Sequence, residues 1–147
     1  MATRFERTFH AGWGLMDSNG HLRNTAYLDL GADVRMMFFA EHGFPMQEFA
    51  RLRIGPVVRR DELEYFREVR LLENVTVDVE IAGLAPDGSR FAIRNSIRRA
   101  DGVLAARVTS HGGWLDLAQR KLVAPPDALR AALDAMPKSS DYAPIPV

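Results

Sequence analysis

Cysteine is absent from the 147-residue sequence, which excludes disulfide staples, thiolate zinc sites and a thiol nucleophile. An excess of charge is missing too: Lys plus Arg number 19 and Asp plus Glu number 19. Neither a nucleic-acid grip nor an acidic solubilising tail is written into that balance. Long hydrophobic runs are lacking. The apolar stretch Met36 to Ala40 in the helical region falls far short of the roughly 20 residues that cross a bilayer, so no membrane span is expected. The opening residues up to Arg7 have no apolar core of a secretion signal, which makes the cytoplasm the expected location. Lysine is scarce, with Lys121 and Lys138 against an otherwise arginine-only basic set. A high-GC genome accounts for that, although arginine also favours bidentate contact with phosphates.

What is present, 47% hydrophobic and 26% charged residues, is the composition of a globular chain. The length is expected to form one domain over 1–147 with a single core. Residues 3–10 carry Phe5, Arg7 and Phe9 on one face and predict a strand. Residues 12–23 have the Gly, Asp, Ser and Asn of a turn-rich loop, and Asn24 is the expected helix cap. Beyond it, Tyr27, Leu30, Gly31, Val34, Met37 and Phe38 recur at helical spacing, while Leu28, Ala32, Met36 and Phe39 form a second apolar stripe. A helix so apolar must be enclosed by a sheet or by a partner subunit. Gly43 and Pro45 mark its end.

The remainder reads as strands. Residues 57–69 alternate through Leu63, Tyr65, Arg67 and Val69, and Val75, Val77, Val79 and Ile81 alternate with polar residues. Pro86-Asp87-Gly88 and Asp101-Gly102 are turn signals flanking a strand with Phe91, Ile93 and Ile97, and a further strand follows over 103–117. A short helix is expected near 126–135, then an extended or frayed tail from about 137. The predicted class is α+β, with a curved antiparallel sheet around one long buried helix.

The segment from Gly12 to Leu28 concentrates the chemistry. Asp17, Asn19, His21 and Asn24 converge on the loop feeding the N-terminus of that helix. Unpaired N–H groups at a helix start carry partial positive charge and stabilise an oxyanion, and a nearby carboxylate serves as nucleophile or base. These are the parts of acyl transfer. The same residue types also make ordinary turns and caps.

The pattern Asp17-x-Asn19-Gly20-His21-x-x-Asn24-x-x-Tyr27-Leu28, with Arg35 and later Glu64-Tyr65-Phe66-Arg67, resembles the hotdog-fold acyl-CoA thioesterases of the 4-hydroxybenzoyl-CoA thioesterase type. The resemblance implies a hotdog fold in a homodimer, often paired into tetramers, with sites at the subunit boundary. It implies Asp17 as the catalytic carboxylate, attacking the thioester carbonyl or activating water. The backbone N–H of Asn24 or Thr25 would polarise that carbonyl, with His21 in support. Gly20, Tyr27 and Glu64 are the further substrate-binding candidates, and Ser89 and Arg90 those for the nucleotide end of CoA. No cofactor is implied beyond the coenzyme A of the substrate. Leu15 replaces a second Asp that many members carry, and Arg23 stands where an Asn is common. Asp17, Asn19 and His21 also resemble the Asp-x-Asn-x-His of acyl-carrier-protein thioesterases of this fold, so the acyl carrier is CoA or a carrier protein.

His10, His42 and His111 are isolated, with no spacing for a metal tripod. Met16, Met36, Met37 and Met46 suit an adaptable acyl pocket or a plain core. Two competing readings stand beside hydrolysis. One is an enoyl-thioester hydratase of the same fold, whose Asn-Pro pattern before the histidine is missing here. The other is a non-catalytic acyl-thioester binder.

Overall fold

The computed structural model describes residues 4–146. Thr3, where the first strand is expected to begin, and Val147, at the end of the expected tail, lie outside the described residues. Eight strands join in one sheet: β1 (Glu6–His10), β2 (Ile54–Tyr65), β3 (Asn74–Asp78), β4 (Glu80–Leu84), β5 (Arg90–Arg99), β6 (Leu104–Asp116), β7 (Lys121–Val123) and β8 (Lys138–Pro144). Three helices accompany them: α1 (Ala26–Glu41), α2 (Met46–Leu52) and α3 (Asp127–Ala135).

The alternation read from Val75 to Ile81 is the inner face of the sheet, each of the four side chains being at most 1% exposed. It is split into β3 and β4 at Val79, where bonds through the Asp78 and Asn95 side chains replace the ladder to β5. The Ser96 N–H donates to Oδ1 of Asp78 and Nδ2 of Asn95 to the Asp78 carbonyl, both at 2.7 Å, while the Val79 N–H carries the β1 register on to the carbonyl of Phe5 (3.1 Å). The longer β5 spans the break, pairing with β3 through its C-terminal half and with β4 through its N-terminal half. Gly102, at φ 84°, supplies the left-handed residue of the β5–β6 turn. β6 then pairs antiparallel with β2 from Ile54↔Asp116 to Tyr65↔Ala106. The other edge of β2 has no strand partner among the described residues, and most of its length is exposed.

Three expectations are corrected and a fourth is narrowed. The strand placed at 57–69 starts at Ile54 and stops at Tyr65. The N–H groups of Phe66 and Arg67 both turn to the carbonyl of Ala105 (2.7 and 3.0 Å), which ends the ladder. A helix missing from the sequence reading, α2, is held by Phe49, which packs edge-on against Phe44 (4.6 Å) and stacks on Trp114 (6.2 Å). At seven residues it is too short to show a period. Asn24 is not the cap of α1. Thr25 occupies that position without a side-chain cap bond, because its hydroxyl accepts from Nε of Arg23 (3.1 Å). Of the two forms expected for the tail, extended or frayed, it takes the extended one, as β8, parallel to β4 and secured by Arg94 to Asp141 (2.6 Å).

Helix α1 lies on β3, β5 and β6, burying Tyr27, Leu30, Gly31, Val34, Phe38 and Phe39. Of its second stripe Phe39 is buried, whereas Leu28, Ala32 and Met36 are only half covered. Gly31 permits close approach, since a Cβ there would sit 2.6 Å from Oδ1 of the fully buried Asn95. That Oδ1 has no hydrogen-bond partner, while Nδ2 of Asn95 donates to the carbonyl of Asp78 (2.7 Å). The carboxylate of Asp78 accepts the Ser96 N–H (2.7 Å), yet its pKa is pushed up to about 6, chiefly by burial.

Candidate active site

The loop before α1 is stitched in place by backbone pairing. The N–H of Leu22 donates to the carbonyl of Val69 (2.8 Å), and that of Leu71 to the carbonyl of Gly20 (3.1 Å). Gly20, at φ 73°, turns the chain sharply enough for its own N–H to reach the carbonyl of Asp17 (3.2 Å). Arg23 then ties the loop to the helix start, donating to the carbonyl of Gly14 (2.5 Å) as well as to Thr25.

This folding sets the state of Asp17. Its Oδ1 accepts the backbone N–H groups of Asn19 (2.8 Å) and His21 (3.1 Å). Those two bonds, that of His21 first, hold the carboxyl below the usual aspartate range. Oδ2 accepts no hydrogen bond among the described residues. Both features follow from the Asx-type turn that an Asp-x-Asn-Gly-His sequence makes.

Asp17 opens onto a cleft of about 380 Å³ shared with His21, Asn24, Tyr27, Tyr65 and Glu68. The His21 ring places Nε2 3.1 Å from the Glu68 carboxylate, and its bond to Asp17 comes from the main chain, with its charge a smaller influence in the same direction on the Asp17 carboxyl. Tyr27 is buried, and its phenol is pushed up to about 12, mainly by that burial, with Tyr65 and the carboxylates of Asp17 and Glu68 adding to the shift. The N–H groups of Asn24 and Thr25 donate to no acceptor among the described residues. A carboxylate with one uncommitted oxygen thus shares a cleft with Asn24, just ahead of a helix start, where partial positive charge collects.

The remaining sequence candidates lie elsewhere. Gly20 and Thr25 are not among the residues that line the cleft. Glu64 faces Arg107 at 3.9 Å, and the Ser89 hydroxyl donates to Asp87 (2.6 Å). Arg90 lines a second cleft, of about 370 Å³, with Arg59, Arg60, Phe91 and His111, sharing no residue with the first. Neither Arg59 nor Arg90 makes a salt bridge among the described residues, whereas Arg60 and His111 meet Glu62. Among the described residues no three His, Asp or Glu side chains gather as a metal site would require, and no helix is long and apolar enough to cross a membrane.

Tyr65, Phe66, Arg67 and Glu68 joined the site without being singled out as site residues from sequence. Tyr65 stands in the quoted Glu-Tyr-Phe-Arg pattern, but its hydroxyl donates to the carbonyl of Asn24 (2.9 Å), 41 positions away, a contact that no local pattern encodes.

Comparison with known proteins bears on the fold and the family. A Staphylococcus aureus protein solved in complex with CoA has 20% identity, a TM-score of 0.84, and coverage of 95% of this chain and 90% of its own. A 1,4-dihydroxy-2-naphthoyl-CoA thioesterase from Synechocystis has 16% identity and a TM-score of 0.80 over 90% of this chain and 96% of its own. A DHNA-CoA thioesterase from Staphylococcus aureus has 17% identity and a TM-score of 0.79 over 87% of each chain. No curated protein matches the chain in sequence. The sequence model of the thioesterase-like superfamily matches residues 11–133, which include the loop, the cleft and all but the ends of the sheet. The chain belongs to the thioesterase-like superfamily and, by that family, to the thioester hydrolases.

Proposed function

We propose that this protein is a single-domain, cytoplasmic acyl-CoA thioesterase that hydrolyses an acyl thioester to the free acid and coenzyme A, without a further cofactor. The observation that carries the proposal is the state of Asp17: one oxygen is taken by two N–H groups, the other is uncommitted, and both belong to a cleft at the start of α1. In this reading the thioester oxygen rests against the N–H of Asn24 or Thr25, which strengthens as negative charge develops there. Oδ2 of Asp17 attacks the carbonyl carbon, the C–S bond breaks, and a thiolate of pKa about 8.5 leaves without a general acid. Water then hydrolyses the mixed anhydride and restores the carboxylate. The lowered proton affinity of Asp17 keeps it ionised near neutrality, the form that attack requires.

The oligomer is part of the proposal. The long edge of β2 without a strand partner and the half-covered stripe Leu28, Ala32 and Met36 are surfaces that a second copy would bury. A homodimer, or a tetramer of two, would complete the enclosure of α1 as the central helix of a hotdog sheet. The Arg59 and Arg90 cleft suits the phosphates of the CoA nucleotide, with Ser89 at its margin. That favours CoA over a carrier protein as the acyl carrier.

The test is a hydrolysis panel of short, long and aromatic acyl-CoA substrates with the native protein and Asp17→Asn. Loss of turnover by more than about 100-fold in the variant, about 2.7 kcal/mol, is expected. Retention within about tenfold would sink the assignment. Hydration of crotonyl-CoA, or tight acyl-CoA binding without turnover, would favour the hydratase or the binder instead.

A further inference from the structure

The helix start that supplies the free N–H groups is not braced by its own side chains. Thr25 has no capping bond, its hydroxyl being held by Arg23. The brace comes from across the molecule: the Tyr65 hydroxyl donates to the Asn24 carbonyl oxygen at 2.9 Å. Tyr65 is half exposed, and its main chain is what anchors it. It is the last residue of β2, paired with Ala106, and the next two N–H groups both lock onto Ala105. Its ring meets the buried Tyr27 ring edge-on at 5.4 Å, which fixes the direction from which the hydroxyl approaches.

The carbonyl of Asn24 and the N–H of Thr25 are the two ends of one planar peptide unit and point in opposite directions. A bond to the carbonyl therefore fixes the aim of the N–H. It also polarises the amide, making that N–H a stronger donor. We propose that Tyr65 is a positioning residue: through the Asn24 carbonyl it fixes the Asn24–Thr25 peptide and so holds Asn24, which lines the cleft, with its own N–H in place for the thioester oxygen. The inference rests on the thioesterase reading above and adds to it a residue that does not touch the reacting atoms.

Tyr65→Phe keeps the ring and its contact with Tyr27 and removes only the hydroxyl, so the fold is retained, as thermal unfolding will record. With the acyl-CoA that the native protein turns over best, kcat is expected to fall at least about tenfold while KM stays within about twofold, the signature of an interaction made in the transition state. The pH at which kcat/KM declines on the acid side is expected to be unchanged, since Asp17 is untouched. In 15N-labelled protein the Thr25 amide resonance is expected to move, with those of Leu30 and Val34 further along α1 unmoved. A kcat within about twofold of native, in a protein whose Asp17→Asn variant is inactive, would overturn the positioning role while leaving the thioesterase reading intact. An unmoved Thr25 resonance would overturn it whether or not the protein is a hydrolase. Turnover surviving Asp17→Asn would instead remove the thioesterase reading, and the proposal with it.

Discussion

The main-chain N–H of His21 lies 3.1 Å from Oδ1 of Asp17, while the imidazole of the same residue points to Glu68, with Nε2 3.1 Å from its carboxylate. The histidine thus serves the aspartate through its backbone, and its side chain serves the segment that lines the opposite wall of the cleft. His21→Ala leaves the N–H in place, so its kcat/KM is expected to stay within about tenfold of native, far above that of Asp17→Asn. A drop comparable to that of Asp17→Asn would show that the ring takes part in the chemistry. Because the two N–H bonds hold the Asp17 pKa low, the acid limb of kcat/KM in both proteins is expected below pH 3.8, the ordinary aspartate value. Activity is then retained down to that range and lost as pH falls through it, provided the fold survives.

Arg59 and Arg90 converge on one cleft without salt-bridge partners among the described residues. The double variant Arg59→Ala/Arg90→Ala is expected to raise KM for acyl-CoA about tenfold or more with kcat little changed. The same acyl group on pantetheine, which lacks the nucleotide phosphates, is expected to show no such change. Equal loss on both substrates would separate this cleft from nucleotide recognition. Higher ionic strength should weaken the effect.

Gly31→Ala tests the closeness of α1 to the sheet. The new methyl would stand 2.6 Å from Oδ1 of Asn95, and overpacking of this kind costs about 1–3 kcal/mol. Urea denaturation should show that loss. In the Asn95→Ala background the penalty of Gly31→Ala should shrink by more than about 0.5 kcal/mol, since the two sites are in contact. Independent effects of the two changes would place the clash elsewhere.

Asp78 carries a pH dependence of opposite sign to that of Asp17. Its folded pKa, about 6, lies above the reference value of 3.8, so the folded state holds the proton more tightly. Its contribution to stability is fully present below pH 3.8 and is lost as pH rises through about 6. That loss is on the order of 3 kcal/mol, taking the difference of the two pKa values at 1.36 kcal/mol per unit. Asp78→Asn keeps an oxygen for the Ser96 N–H without the charge. Its stability relative to native is expected to rise between pH 4.5 and pH 7.5 in paired denaturation curves. A flat difference across that range would remove Asp78 as the source.

What the sequence determined by itself is local. Val75, Val77, Val79 and Ile81 could be assigned to a buried face because strand geometry sends alternate side chains to one side. The turn chemistry of Asp17 to His21 was equally legible, because an Asx turn is made by residues two to four positions apart. Asp101-Gly102 marked its hairpin for the same reason. Tertiary structure alone decided the rest. The strand breaks at Val79 because Asn95 and Ser96 of β5 bond to Asp78 through side chains, α2 exists because Phe49 finds Phe44 and Trp114, and the proline-rich tail becomes β8 because β4 offers an edge. The arginine cleft and the Tyr65 bond to Asn24 likewise join residues far apart in the chain. Periodicity reports only what a residue does relative to its near neighbours, whereas these contacts depend on how elements dock, a matter of packing and hydrogen-bond satisfaction across the whole molecule.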